Sequence, residues 1–217
     1  MLSYPYQSRP EPETLKPLKG TTTVGFITRD YVVLAADRRA TSGYYVAHKK
    51  TKKIIKIVDY MALTTAGLVA DAQVLAEWLS NHLRYHSYVA KRPLSVRAAA
   101  EYLSAILHAS RLYPYIVQLL LGGFDTKPRL YNIDWFGSVT EEKYVATGSG
   151  SPIAIGVIED QYRDDLSIDE AVKLAYRAVY AATKRDTFSG NGVDIVVIGK
   201  NIMKWYTING EQTTKNI

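Results

Sequence analysis

The stretch that decides the fold is Leu18-Lys19-Gly20-Thr21-Thr22-Thr23-Val24-Gly25. On its N-terminal side, residues 1–20 carry four of the eight prolines (Pro5, Pro10, Pro12 and Pro17) and no apolar periodicity, so they read as an extended, poorly ordered leader. On its C-terminal side the texture changes at once. Thr21 to Thr28 and Tyr31 to Asp37 are β-rich runs joined by Arg29-Asp30. The second run, Tyr31-Val32-Val33-Leu34-Ala35-Ala36, is continuously apolar, as a strand covered on both faces must be. A leader that ends in Gly thus meets a buried strand that begins with Thr.

Working outward, residues 53–58 and 60–66 repeat the hairpin pattern. Ala72, Leu75, Ala76, Leu79 and Leu83 then recur at helical spacing, as do Val96, Ala100, Leu103 and Leu107 after Pro93. Strand-like runs follow at 116–122, 129–134 and 143–147, then a short apolar helix at 152–160. A stronger helix begins at Ser167, where Ser-Ile-Asp-Glu is a capping box with Glu170 at its third position. Ile168, Ala171, Val172, Ala175 and Val179 form its expected core face, and strands near 193–199 and 202–208 close the chain. The order is strands, two helices, strands, two helices, strands. Such segregation argues against a parallel βαβ sheet and for a layered α+β domain with antiparallel sheets between helices.

Composition narrows the chemistry. The 217 residues are 47% hydrophobic and 22% charged, an ordinary globular balance. Without cysteine there is no disulfide scaffold, no thiolate nucleophile and no sulfur-ligated zinc, so a nucleophile must be an oxygen or an amine. Lys plus Arg is 27 against 21 Asp plus Glu, a net charge of +6. That raises nucleic acid as a partner, but the cluster Lys49, Lys50, Lys52, Lys53 and Lys56 comes with no nucleic-acid module and reads as a solvated face. The apolar run from Ile116 to Leu121, interrupted by Gln118, is far too short to span a membrane. The first residues lack the basic and apolar regions of a secretory signal, so the expectation is a cytoplasmic protein with neither a membrane nor a nucleic-acid partner. His82 and His86 are spaced i,i+4, but no Glu in the HExxH register and no third ligand accompanies them, so no metal and no cofactor is expected. The 17 tyrosines fit either a subunit of a large assembly or Tyr replacing Phe at half-buried positions.

A threonine hydroxyl is a poor nucleophile without a base, and one solution makes the Thr the N-terminus so that its own amine is that base. An α-amino group has a pKa of about 7.7–8.0, so a useful fraction is neutral near pH 7. The Thr triplet also reads as β-branched strand material. Asp37 ends the apolar strand and Lys53 opens the next. A carboxylate at the end of a buried strand requires a partner, and on these residues alone Arg38 or Arg39 supplies it while the lysines form a solvated face.

In the set Gly20-Thr21-Thr22-Thr23-Val24-Gly25, Ala36-Asp37-Arg38-Arg39, Lys52-Lys53, Thr65-Ala66-Gly67-Leu68-Val69-Ala70-Asp71, Thr147-Gly148-Ser149-Gly150-Ser151-Pro152, Lys184-Arg185-Asp186 and Ser189-Gly190, the sequence resembles the β subunits of the proteasome core particle, most closely the archaeal ones. The resemblance covers essentially all of residues 20–200, in order. It implies an N-terminal nucleophile hydrolase fold, a four-layer α-β-β-α sandwich of two antiparallel sheets between helix layers. It implies a leader, residues 1–20, removed by autolysis at Gly20–Thr21, and a mature domain over 21–217. With the leader attached Thr21 has an amide rather than an amine, and the chain is a zymogen. By the same resemblance Thr21 is the nucleophile, Asp37 and Lys53 tune it, and the Gly67 N–H forms the oxyanion hole. Ser149, Asp186 and Ser189 orient the freed amine and its water. Whether Lys53 takes the hydroxyl proton or acts as a fixed positive charge stays open.

The family positions that line the pocket for the residue before the scissile bond map to Ala40, Thr51, Ile55, Thr65 and Val69, all uncharged, which implies cleavage after hydrophobic residues. The implied partners are other β subunits in a seven-membered ring, flanking α-subunit rings, and unfolded polypeptides delivered by regulatory ATPases. An alternative within the family is a catalytically silent structural β subunit that needs another β type for activity. One departure stands out. Where many members have Ser-Gly-Gly, this chain has Ser189-Gly190-Asn191, which puts a polar side chain beside the amine-orienting loop and is expected to be tolerated.

Overall fold

The computed structural model describes residues 20–43, 45–209 and 212–216. Apart from Gly20, the expected leader lies outside the described residues. The chain opens with β1 (Thr22–Ile27) and β2 (Tyr31–Asp37), a hairpin closed by the Thr28 N–H donating to the Tyr31 carbonyl at 2.7 Å. A small hairpin, β3 (Ala40–Ser42) and β4 (Tyr45–His48), follows, then β5 (Ile54–Val58) and β6 (Met61–Gly67). Helices α1 (Val69–Ala90) and α2 (Val96–Ala109) lead into β7 (Val117–Phe124), β8 (Pro128–Ile133), β9 (Val139–Glu141) and β10 (Tyr144–Gly148). Helices α3 (Ser151–Gln161) and α4 (Ile168–Thr183) precede β11 (Val193–Gly199), β12 (Ile202–Asn209) and β13 (Gln212–Asn216).

One sheet has six strands in the order β10-β1-β2-β11-β12-β13, and a second has five in the order β5-β6-β7-β8-β9, with every pairing antiparallel. Three apolar clusters define the layers. α3 and α4 cover the outer face of the six-stranded sheet through Ala154, Ile158, Ala175 and Val179 against Val24, Phe26, Val33 and Ile195. Leu34, Ala62, Leu120, Leu130 and Val196 fill the space between the sheets. α1 and α2 cover the five-stranded sheet through Leu75, Leu79, Leu83, Leu103 and Leu107. The architecture is the expected α-β-β-α sandwich.

The alternation of β2 explains its continuous apolar run. Val33 and Ala35 face the helices while Val32, Leu34 and Ala36 face the other sheet, so both faces are dry. Gly25 packs against the other sheet without a side chain, since a Cβ there would stand 2.8 Å from a Leu130 methyl. The α1 residues read from periodicity are all buried, as are those of α2, which is capped by Ser95 accepting from the Ala98 N–H at 3.2 Å. The capping box of α4 is formed on both sides, with the Ser167 N–H donating to Glu170 at 2.9 Å. The core face of α4 is broader than expected, adding Leu174, Ala178 and Ala182, and Ile168 is only partly buried at its start. No helix among the described residues is long and apolar enough to cross a membrane.

Candidate active site

Thr21 lies immediately before β1 and is buried at 4% exposure, at the edge where β1, β2, β10 and the segment opening β5 converge. Its hydroxyl donates to the carbonyl oxygen of Gly20 at 2.6 Å, and the Lys53 ammonium donates to the same oxygen at 3.1 Å. Lys53 in turn donates to Asp37 Oδ1 at 2.7 Å. Both side chains of this pair are sequestered, with 4% and 0% of their surface exposed. Arg38 instead faces Asp194 at 3.4 Å, so the lysine and not the neighbouring arginine supplies the charge that Asp37 requires. Burial holds the Lys53 ammonium below the usual lysine range, and the adjacent Asp37 carboxylate offsets only part of that desolvation.

Asp37 is saturated with donors. Oδ1 also accepts from the Thr22 N–H at 3.0 Å, and Oδ2 accepts from the N–H groups of Arg39 at 3.0 Å and Gly190 at 2.9 Å. Each oxygen of this dry carboxylate thus has two donors, so its burial leaves no acceptor unsatisfied.

A second polar chain approaches Thr21 from the α3 and α4 side. Asp186 Oδ2 accepts from Ser149 Oγ at 2.7 Å and from Ser189 Oγ at 2.5 Å. Ser149 is 3.4 Å from the Thr21 carbonyl oxygen, and Ser189 is 2.7 Å from Thr22 Oγ1. Gly148, at φ +88°, makes the close approach possible, because a Cβ there would stand 2.0 Å from the Thr21 carbonyl oxygen.

Gly67 ends β6 at φ +123°, and a Cβ at this position would overlap the Ile116 carbonyl oxygen at 2.1 Å. That oxygen accepts the Leu68 N–H at 2.8 Å, and Asp71 fixes the same segment by accepting the Ile116 N–H at 2.8 Å. Gly67 lines a cavity of about 550 Å³ together with Gly20, Thr21, Ser149, Ile116 and Trp135. The cavity is walled by both apolar and hydroxyl-bearing side chains, among them Val117, Pro152, Thr21 and Ser149.

The expected catalytic set is therefore gathered at one end of the sandwich: Lys53 bonded to Asp37 and meeting the Thr21 hydroxyl at the Gly20 carbonyl, Ser149, Asp186 and Ser189 by a second network, and Gly67 on the same cavity as Thr21 and Ser149. The expected substrate-pocket residues lie apart from that cavity wall. Ile55, Thr65 and Val69 line a second cavity of about 1070 Å³, whose lining also includes Lys52, Glu77, Arg84 and Asp194. Ala40 lies in β3 and Thr51 just ahead of β5.

Sequence reading missed several participants. The Thr22 hydroxyl, the backbone donors to Asp37, and the walls made by Ile116 and Trp135 carry no local motif. Only the run of three hydroxyls entering an apolar strand hinted at the first of these. Thr23 belongs to structure rather than to the site, its hydroxyl bonded to Thr147 at 2.6 Å. His82 lies flat on the Tyr102 ring at 3.9 Å, an α1–α2 packing contact.

A four-layer sandwich with a hydroxyl, a lysine and a carboxylate gathered at the start of its first strand has the fold of the N-terminal nucleophile hydrolases. The proteasome subunit family matches residues 18–198. The chain is 73% identical over 193 residues to "Proteasome subunit beta 2" of Hyperthermus butylicus, covering 89% of this chain and 91% of that protein. It is 59% identical over 184 residues to the protein of that name from Ignicoccus hospitalis, covering 85% and 87% of the two chains. With the protein of that name from Sulfolobus acidocaldarius it shares 51% identity over 186 residues, covering 86% and 92%. The chain belongs to the proteasome subunit family, among its archaeal-type β subunits.

Proposed function

We propose that this chain is a threonine-type endopeptidase that makes its own nucleophile by cutting the Gly20–Thr21 bond. The observation that carries the proposal is the convergence of the Thr21 hydroxyl and the Lys53 ammonium on one oxygen, the carbonyl of Gly20, with Asp37 holding the lysine in place.

In the uncleaved chain Lys53 polarises the Gly20 carbonyl and Thr21 Oγ adds to its carbon. The C–N bond breaks as an ester forms, and the nitrogen takes up the proton. Water then hydrolyses that ester, leaving Gly20 as a carboxylate and Thr21 with a free α-amine. The amine supplies the base that the amide lacked. In turnover Thr21 Oγ attacks a substrate carbonyl, the Gly67 N–H stabilises the oxyanion, and the substrate's leaving amine departs. Water releases the acyl group, oriented by the Ser149–Asp186–Ser189 network.

On this reading residues 1–20 are a leader and 21–217 the mature subunit. The subunit sits in a seven-membered β ring between α rings and receives unfolded chains from regulatory ATPases. Enclosure in such a chamber makes broad specificity safe in the cytoplasm. The expected cleavage after hydrophobic residues rests on the uncharged side chains of Ala40, Thr51, Ile55, Thr65 and Val69, which stand outside the cavity at Thr21. Dominant cleavage after Arg or Glu in a fluorogenic peptide panel would overturn that specificity.

The deciding experiment is intact mass and N-terminal sequencing of the subunit taken from assembled particles. The expected N-terminus is Thr21, with Thr21→Ala left uncut and inactive. An uncut wild-type subunit in fully assembled particles would instead make this chain a structural β subunit dependent on another β type.

A further inference from the structure

The loop between α4 and β11 carries Ser189 and ends in an exposed asparagine that the proposed chemistry does not use. Asn191 has φ +65°, a conformation that favours glycine and that asparagine tolerates better than most residues. Its side chain is not idle, because Asn191 Oδ1 accepts from Arg39 Nε at 2.9 Å. The same guanidinium reaches back across the loop, Nη1 donating to the Thr187 carbonyl oxygen at 2.7 Å. Between these two anchors it lies against Gly190, where a Cβ would stand 2.5 Å from Nη2 and 2.7 Å from Cζ. A side chain at 190 would therefore displace the guanidinium from this seat.

The backbone is joined at the same place. Asp37 Oδ2 binds the N–H groups of both Arg39 and Gly190, and the Arg38 N–H donates to the Gly190 carbonyl at 3.0 Å. The rigid fork of arginine suits such a contact, since it fixes two acceptors at a set spacing that a lysine cannot match. Ser189 and Gly190 are buried beneath it, whereas Thr187 and Asn191 are exposed.

We propose that Arg39 and Asn191 form a clamp that positions the Ser189–Asp186 arm against Thr21, with Arg39 the positioning residue and Asn191 its anchor at the mouth of β11. The clamp does not touch substrate. It sets where Ser189 Oγ and Asp186 stand relative to Thr21, so it governs turnover rather than substrate affinity. This rests on the threonine-protease reading for its kinetic consequence, but the geometric consequence is independent of it.

The test uses particles assembled from the full chain with α subunits, carrying Arg39→Lys, Asn191→Gly or Asn191→Asp. Arg39→Lys keeps the charge and loses the fork. Asn191→Gly keeps the backbone conformation and loses the acceptor. Asn191→Asp keeps an acceptor and serves as the conservative rescue. Losing one or two solvent-exposed hydrogen bonds from the aligned state corresponds to roughly three- to tenfold in rate.

The expected result is kcat lowered about tenfold in Arg39→Lys and about threefold in Asn191→Gly with KM within about twofold of wild type, and kcat near wild type in Asn191→Asp. Amide hydrogen exchange of the peptide spanning residues 186–192 should quicken in the first two variants and not in the third, with β2 and β11 unchanged. Wild-type kinetics and exchange in Arg39→Lys and Asn191→Gly would overturn the clamp. So would equal losses in Asn191→Gly and Asn191→Asp. If the wild-type particle neither processes nor cleaves peptides, the protease reading fails while the exchange comparison still decides the clamp.

Discussion

The two halves of the Lys53–Asp37 pair are not equivalent, and substituting them one at a time separates their contributions. Lys53→Met removes a charge from a pair that is 4% and 0% exposed. Breaking a buried pair costs about 3–5 kcal/mol, because one charge is left without compensation. Here the remaining charge keeps three backbone donors, from Thr22, Arg39 and Gly190. The cost of Lys53→Met should therefore fall at the low end, about 3 kcal/mol.

Asp37→Asn is a different perturbation. The carboxylate receives two donors on each oxygen, Thr22 and Lys53 on Oδ1 and Arg39 and Gly190 on Oδ2. An amide offers one oxygen, so in either orientation its NH₂ faces two donors. Two unsatisfied buried donors cost about 1–3 kcal/mol each, and the lysine must also shed its proton or stay unpaired, for a total of about 5 kcal/mol. The assay is urea unfolding of the unassembled full-length chain, comparing midpoints at unchanged slope. Lys53→Met proving as costly as Asp37→Asn, or costlier, would mean that the backbone donors do not sustain the carboxylate, and the reasoning would fail.

Lys53 also implies a pH signature. Its folded pKa lies below the unfolded value of about 10.4, so between the two the unfolded chain binds more protons and stability rises with pH. The penalty is fully present below the folded pKa and relieved as pH approaches the unfolded one. Melting from pH 7 upward should show wild type gaining on Lys53→Met, and a falling difference would contradict the sign. Gly67→Ala must force a Cβ into the Ile116 carbonyl at φ +123°, costing at least about 3 kcal/mol and lowering the melting temperature by roughly 6–12 °C. Ser167→Ala removes the cap of α4, costing about 1 kcal/mol, and should leave the N-terminus found in assembled particles unchanged.

How much of this was legible depended on the range of the interaction. The faces of α1, α2 and α4 were readable because a helix writes its burial every three or four residues, and β2 because a strand covered on both sides has no polar position to spare. The β3–β4 hairpin was not, since Thr41, Ser42, Tyr45 and His48 form a short, polar and largely exposed stretch with no alternation. Strand β9 is three residues long and β13, Gln212 to Asn216, is polar throughout, so neither carried an apolar pattern to detect. The site divides in the same way. Its residue types stood in recognisable motifs, but the choice of Lys53 over Arg38 as partner to Asp37 is made by sheet packing, which local sequence does not record. Asn191 was visible as a departure, and only the placement of Arg39 gives it a contact.

That dependence on packing has a functional consequence. Asp37 belongs to β2 of the six-stranded sheet, whereas Lys53 leads into β5 of the five-stranded sheet and is held by the Thr65 N–H donating to its carbonyl at 3.0 Å. The 2.7 Å contact between them therefore spans the two sheets. Gly190, the other anchor of the carboxylate, arrives only when β11 pairs with β2. A chain whose sheets have not packed holds neither the lysine at the Gly20 carbonyl nor the carboxylate that keeps the lysine there. On the proposed reading the Gly20–Thr21 bond is then protected until the sandwich closes. The same burial that lowers the lysine pKa also makes cleavage contingent on folding. Core substitutions between the sheets, such as Leu34→Ala or Leu120→Ala, remove about 2–5 kcal/mol each and should slow the appearance of the Thr21 N-terminus at urea concentrations where the variant, but not wild type, is largely unfolded. Processing at the wild-type rate under those conditions would show that the site forms without sheet closure.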